Sequence, residues 1–185
     1  MISIISLWLP IIVSAVVVFV ASSIIHMVLK YHRSDFRGLD AEDQVMAALR
    51  DASIGPGEYI MPHCDDPKDA SSPEFLARVE KGPVAILNIM QGGYEMGKSL
   101  ALWFVYCVLI GVFAAYVAGQ ALGPGASYLK VFQFAGASAF GGYALALLQH
   151  SIWYKRPWIT TAKGVFDGFI YACLTAGVFG WLWPA

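Results

Sequence analysis

MISIISLWLPIIVSAVVVFVASSIIHMVL, residues 1–29, contains no Asp, Glu, Lys or Arg. A helix needs about 20 apolar residues to cross the hydrocarbon core of a bilayer, and Ile4 to Val28 supplies more than that. A secretory signal would show a basic leading region, a shorter apolar core and a small-residue cleavage site. None of these is there, so residues 1–30 predict an uncleaved transmembrane helix. Pro10 falls in its first turns, where a missing backbone donor costs least.

The polar break that follows, residues 31–98, is the only long one in the chain. Of thirteen acidic residues, twelve lie between Lys30 and Lys98, and Asp167 stands alone outside. Beyond Lys98, in residues 99–185, three further apolar runs predict spans over about 100–122, 131–148 and 165–183. Gly123, Pro124 and Gly125 make a turn between the second and third spans. Glycines at 136, 141, 142, 168, 177 and 180 let helix backbones approach closely in lipid, where no hydrophobic force drives association. The fold class is therefore an all-α membrane protein. It has four transmembrane helices and a small α+β cytoplasmic insert between the first two.

Composition agrees. The chain is 58% hydrophobic and 14% charged, against about a quarter charged for a soluble domain. A net charge of −1 gives no case for nucleic acid. Lys and Arg set orientation. Eight lie in the polar insert and its edges, and Lys155, Arg156 and Lys163 lie between spans three and four. The two ends have none, and the Gly-Pro-Gly turn has only Lys130 nearby. This predicts both termini outside a bacterial inner membrane, with the insert in the cytoplasm. Trp8, Trp181 and Trp183 would form the outer aromatic belt. Tyr31, Trp103, Trp153 and Trp158 would form the inner one.

Within the insert, Asp40 to Ala52 reads as a helix capped by Asp40. Glu58 to Pro62 reads as extended, and Ser72-Pro73-Glu74 opens a second helix running to about Glu80. Val84 to Met90 reads as a strand. So few large apolar side chains make a thin core, which needs the membrane face, a partner protein or a second copy of the chain to support it.

Several motifs carry chemistry. Gly92 to Ser99 matches the G-x-x-x-x-G-K-S phosphate-binding pattern. The helix after it is a membrane span, and the sequence cannot supply a parallel nucleotide-binding sheet. The stretch reads as a glycine-rich hinge with Lys98 at the bilayer edge, and no nucleotide is expected. His63, Cys64 and Asp66 are the densest group of potential metal ligands, while a polar turn explains the same letters. Three cysteines far apart give neither a disulfide framework nor a zinc pattern.

Asp167 is the one carboxylate within a span, and such groups face a partner or a cavity. Ser22, His26 and Lys30 recur at four-residue spacing on one face of span one. Lys163, Asp167, Tyr171 and Thr175 do the same on span four. With His150 at the inner end of span three, they suggest an intramembrane polar cluster of His26, Lys30, His150, Asp167 and Tyr171. It would serve as a salt-bridged structural contact, a proton or metal path, or a haem site held by His26 and His150.

Tyr31-His32-Arg33-Ser34-Asp35, then Met61-Pro62-His63-Cys64 with Pro67-Lys68-Asp69, then Phe166-Asp167-Gly168 resemble a set of small bacterial multi-pass membrane proteins with no assigned activity. The resemblance spans nearly the whole chain and implies a bacterial setting. No catalytic set stands out. The leading expectation is a non-enzymatic accessory or assembly subunit whose insert docks a partner, with no cofactor. The alternative is a metal- or haem-binding redox or transport component.

Overall fold

The structure, a computed structural model, describes residues 2–93 and 95–185. It is mostly helical, with four helical stretches long and apolar enough to cross a membrane. The chain divides into two compact units, one of residues 1–36 and 95–185, the other of residues 37–94.

The first unit is the four-span bundle. A 3-10 turn at Ile4–Leu7 leads into α1, Trp8–Met27. Span two is the long helix Met96–Ala121 and span four is Trp158–Trp181; with the insert's two helices counted as α2 and α3, these are α4 and α7. Span three is broken. Its first part is α5, Tyr128–Tyr143, followed by a 3-10 turn at Leu145–Leu147 and a short α6, Leu148–Ile152. The spans close a ring in which α1 packs on α4, α4 on α5, α5 on α7, and α7 on α1.

The tightest seam is α5 on α7, and small residues make it. A Cβ added at Gly168 would lie 2.8 Å from the Ala144 Cβ, and one at Gly136 would lie 3.1 Å from the Ala176 Cβ. Neither position has room for a larger side chain, as close backbone approach in lipid requires. At one end of the bundle, Leu7, Ile11, Ala114, Val131 and Phe179 are buried together. Toward the other end Val18, Ile25, Cys107, Tyr143 and Tyr171 are. Residues near the two chain ends bond to the last turns of α4 and to the turn after it. The Ile2 N–H donates to the Gly119 carbonyl at 2.8 Å, and the Gly125 N–H donates to the Pro184 carbonyl at 2.9 Å.

The second unit holds α2, Glu42–Asp51, and α3, Pro73–Lys81. Strands β1, Gly57–Met61, and β2, Ala85–Ile89, pair antiparallel with Tyr59 opposite Leu87. The Ser72 hydroxyl accepts from the Phe75 N–H at 3.2 Å and caps α3. Asp40 does not cap α2; the helix opens at Glu42 after Ala41, without a side-chain cap. Glu42 and Asp43 in its first turn favour the helix dipole instead. Among the described residues of this unit none is buried.

Several boundaries differ from the sequence reading. Span two begins at Met96 and span four at Trp158, four and seven residues earlier than the sequence reading; in span four the Thr161 hydroxyl accepts from Ser151 and Lys163 bonds residues 31–35. Residues 31–36 belong to the bundle, not to the insert.

Candidate functional site

At the end of α1 the helical ladder runs out. The N–H groups of Val28 and Leu29 both donate to the Ile24 carbonyl. Leu29 is extended, and a 3-10 turn, Lys30–Ser34, follows. This turn folds the first polar residues after span one back over the bundle, against the first half of α7.

Asp167 on α7 is 3% exposed. The Tyr31 hydroxyl donates to its Oδ1. His32 Nε2 lies 2.7 Å from its Oδ2. The other ring nitrogen, His32 Nδ1, lies 2.7 Å from Asp35 Oδ2. Lys163, one turn before Asp167, completes the group. Its Nζ donates to the Tyr31 carbonyl at 2.6 Å, the Ser34 hydroxyl at 2.8 Å and Asp35 Oδ1 at 2.8 Å. Tyr31, Asp167, His32, Asp35 and Lys163 thus form one continuous chain of charge-assisted hydrogen bonds.

Burial alone would push the Asp35 carboxyl up, but the hydrogen bonds and charges of Lys163 and His32 outweigh it and hold it below the ordinary carboxylate range. Burial and the neighbouring Asp167 carboxylate push the Tyr31 hydroxyl up, so it stays a neutral donor. His32 stands between two carboxylates. If it donates from both nitrogens, the ring is an imidazolium. If it donates only to Asp35, its bare Nε2 faces Asp167, and at 2.7 Å Asp167 must supply the proton between them.

This chain forms one wall of a cavity of about 490 Å³. Trp103, Tyr106, Tyr143 and Tyr171 make an aromatic wall, and Arg156, Thr160 and Thr161 stand at the α6–α7 connection. The Tyr171 hydroxyl is buried and has no hydrogen-bond partner among the described residues. Burying a hydroxyl without a partner is costly. Trp103 Nε1 donates to the Ser22 hydroxyl at 2.8 Å, which fixes the indole against α1.

The structure brings His26, Asp167 and Tyr171 to this cavity. The His26 ring lies 4.5 Å from that of His32, centroid to centroid. Lys30 and His150 stand apart from it. Lys30 is exposed because the helical spacing from His26 is interrupted at Leu29. His150 is exposed and lies 5.8 Å from the Tyr154 ring, so His26 and His150 do not face each other across this cavity. Tyr31 and Trp103, expected at the lipid interface, turn inward instead.

In the insert, His63, Cys64 and Asp66 lie in one turn, with His63 and Asp66 exposed. His63 Nδ1 lies 3.2 Å from Asp65, the Cys64 thiol donates to the Asp66 carbonyl, and Asp66 accepts from the Lys68 N–H. Of the nucleotide-like match, Tyr94 lies outside the described residues. Gly97 and Lys98 are in the first turn of α4, with Lys98 exposed and 3.6 Å from Glu95.

His32, Tyr31 and Asp35 were not in the cluster read from sequence. The available signal was Asp35, an acidic residue within a few positions of a span end, facing a lone basic residue, Lys163, at the start of another. No family model, curated protein or solved structure matches this chain.

Proposed function

We propose that this protein is a ligand- or ion-handling component of a bacterial inner membrane, of the transport or redox kind, whose working part is the polar cavity. The observation that carries this reading is the part-buried chain Tyr31–Asp167–His32–Asp35–Lys163 beside an aromatic cavity lined by Tyr171, whose buried hydroxyl has no partner among the described residues. A contact serving stability alone needs no such space, and buried ion pairs are weak evidence for stability in any case. Lys30, Arg33, Lys155 and Arg156 lie just outside the span ends on the cavity side, and Lys98 and Lys163 stand in the first turns of α4 and α7. That supports a cavity opening to the cytoplasm, with both termini outside.

A second reading keeps the protein as an accessory subunit. It is favoured by the insert, where no described residue is buried and Val45, Met46, Leu76, Val79, Ile86 and Met90 are exposed. Such a surface suits a partner protein, a second copy or the lipid face.

A complementation assay in a deletion strain separates the two. Tyr171→Phe should fail to restore the lost function while reaching the membrane in normal amount. Replacing residues 37–94 with a flexible linker should leave most of it. The reverse pattern favours the docking subunit. Orientation is checked by Ser71→Cys, which should resist a membrane-impermeant thiol reagent in intact cells.

A further inference from the structure

We propose that His26, His32 and Asp167 bind a divalent first-row transition metal ion, with Asp35 as the positioning residue behind His32. The inference rests on the cavity reading above and names the ion the cavity holds. Ligating atoms of the three side chains lie within 4.8 Å of one another. Ligands held about 2.1 Å from zinc in a tetrahedral site stand about 3.4 Å apart, so His32 and Asp167, 2.7 Å apart, must open a little while the His26 side chain rotates inward. His26 has that freedom. It stands at the cavity edge and makes no hydrogen bond among the described residues.

Two imidazoles and a carboxylate are the donor set that suits zinc, iron, manganese or cobalt, and three protein ligands leave further positions open. Those positions face the cavity. The outer contacts fit as well. A ligating histidine gives its other N–H to a carboxylate, which fixes the tautomer and the ring orientation. His32 does this through Nδ1 to Asp35 Oδ2 at 2.7 Å, and Lys163 holds Asp35 in place. Tyr31 donates to the Asp167 oxygen that does not face His32. The ion takes the place of the proton shared by His32 Nε2 and Asp167 Oδ2, and that proton is released to solvent.

The His63-Cys64-Asp66 turn is the competing site on the same chain, and the test includes it. Full-length protein is purified in detergent, stripped with chelator, and titrated with Co²⁺ followed by visible absorption, then with Zn²⁺ in competition. One Co²⁺ should bind per chain with ligand-field bands that Zn²⁺ removes. His26→Ala, which breaks no hydrogen bond and so leaves the fold intact, should abolish the bands, as should Asp167→Asn. Asp35→Asn should keep the stoichiometry and the bands but weaken binding about 10–100-fold. His63→Ala with Cys64→Ser should change nothing. No stoichiometric binding, or binding that survives His26→Ala, or binding lost with the His63 and Cys64 changes, would each overturn the metal site. None of these would touch the cavity reading, which stands or falls on complementation by Tyr171→Phe.

Discussion

His32 Nε2 lies 2.7 Å from Asp167 Oδ2, although the two residues are 135 positions apart. One belongs to the turn that leaves span one, the other to the first half of span four. A short polar segment after a membrane helix normally runs into water. Here it folds back and joins the bundle, because a buried carboxylate on α7 needs partners.

Lys163 is the clamp on that turn, holding three oxygens of residues 31–35. Lys163→Ala should release it. In limited trypsin digestion of detergent-solubilised protein, cleavage after Lys30 and Arg33 should become several-fold faster, with the spans still protected. An unchanged rate would mean the turn holds without the clamp.

Asp35 gives a pH dependence of defined sign. Its folded pKa is depressed, so its pairing stabilises the metal-free protein above the ordinary carboxylate pKa of about 3.9. That contribution is lost as pH falls through the folded value. Asp35→Asn should therefore flatten the acid limb of stability in thermal unfolding scans between neutral and acidic pH. A limb of the same steepness in the variant would show that other carboxylates produce it.

Gly168→Ala places a methyl group 2.8 Å from the Ala144 Cβ, in contact with backbone as well. Overpacking of this kind costs about 1–3 kcal/mol. Because Gly168 adjoins Asp167, the change should also perturb ligand binding in the cavity. A fall in Tm measured in detergent checks the first part; an unchanged Tm would mean the α5–α7 seam yields easily.

The phosphate-loop look-alike at 92–99 should be inert. Its glycine and lysine are already in the first turn of a membrane-length helix. ATP at millimolar concentration should not shift the Tm of wild type or Lys98→Ala. Micromolar affinity abolished by Lys98→Ala would contradict this.

How much of this was legible depended on the kind of signal. The four spans were, because twenty or more apolar residues have few other destinations. So was Asp167, as the one carboxylate among them. The partners of Asp167 were not. Helical periodicity from Ser22 through His26 points on to Lys30, but the helix stops at Met27, and beyond that point four-residue spacing carries no information. The chain reverses in a 3-10 turn instead, which brings His32 to where Lys30 was expected. The break after Tyr143 was equally hidden. Ala144, Leu145, Ala146 and Leu147 are good helix formers, and the tertiary contact at the break, the Tyr106 hydroxyl donating to the Gly142 carbonyl at 2.6 Å, has no sequence signal.

The central claim is that Asp167 and His32 act as one site. A double-mutant cycle on detergent-solubilised protein, with Asp167→Asn and His32→Gln, measures this directly. Removing either partner of a buried, hydrogen-bonded pair costs roughly 3–5 kcal/mol. The two changes together should cost less than their sum, by a coupling of about 0.5–3 kcal/mol. Asp167→Asn combined with Lys30→Ala should be additive within roughly 0.3–0.5 kcal/mol. Additivity of Asp167 with His32, or coupling of Asp167 to Lys30 in its place, would contradict the account.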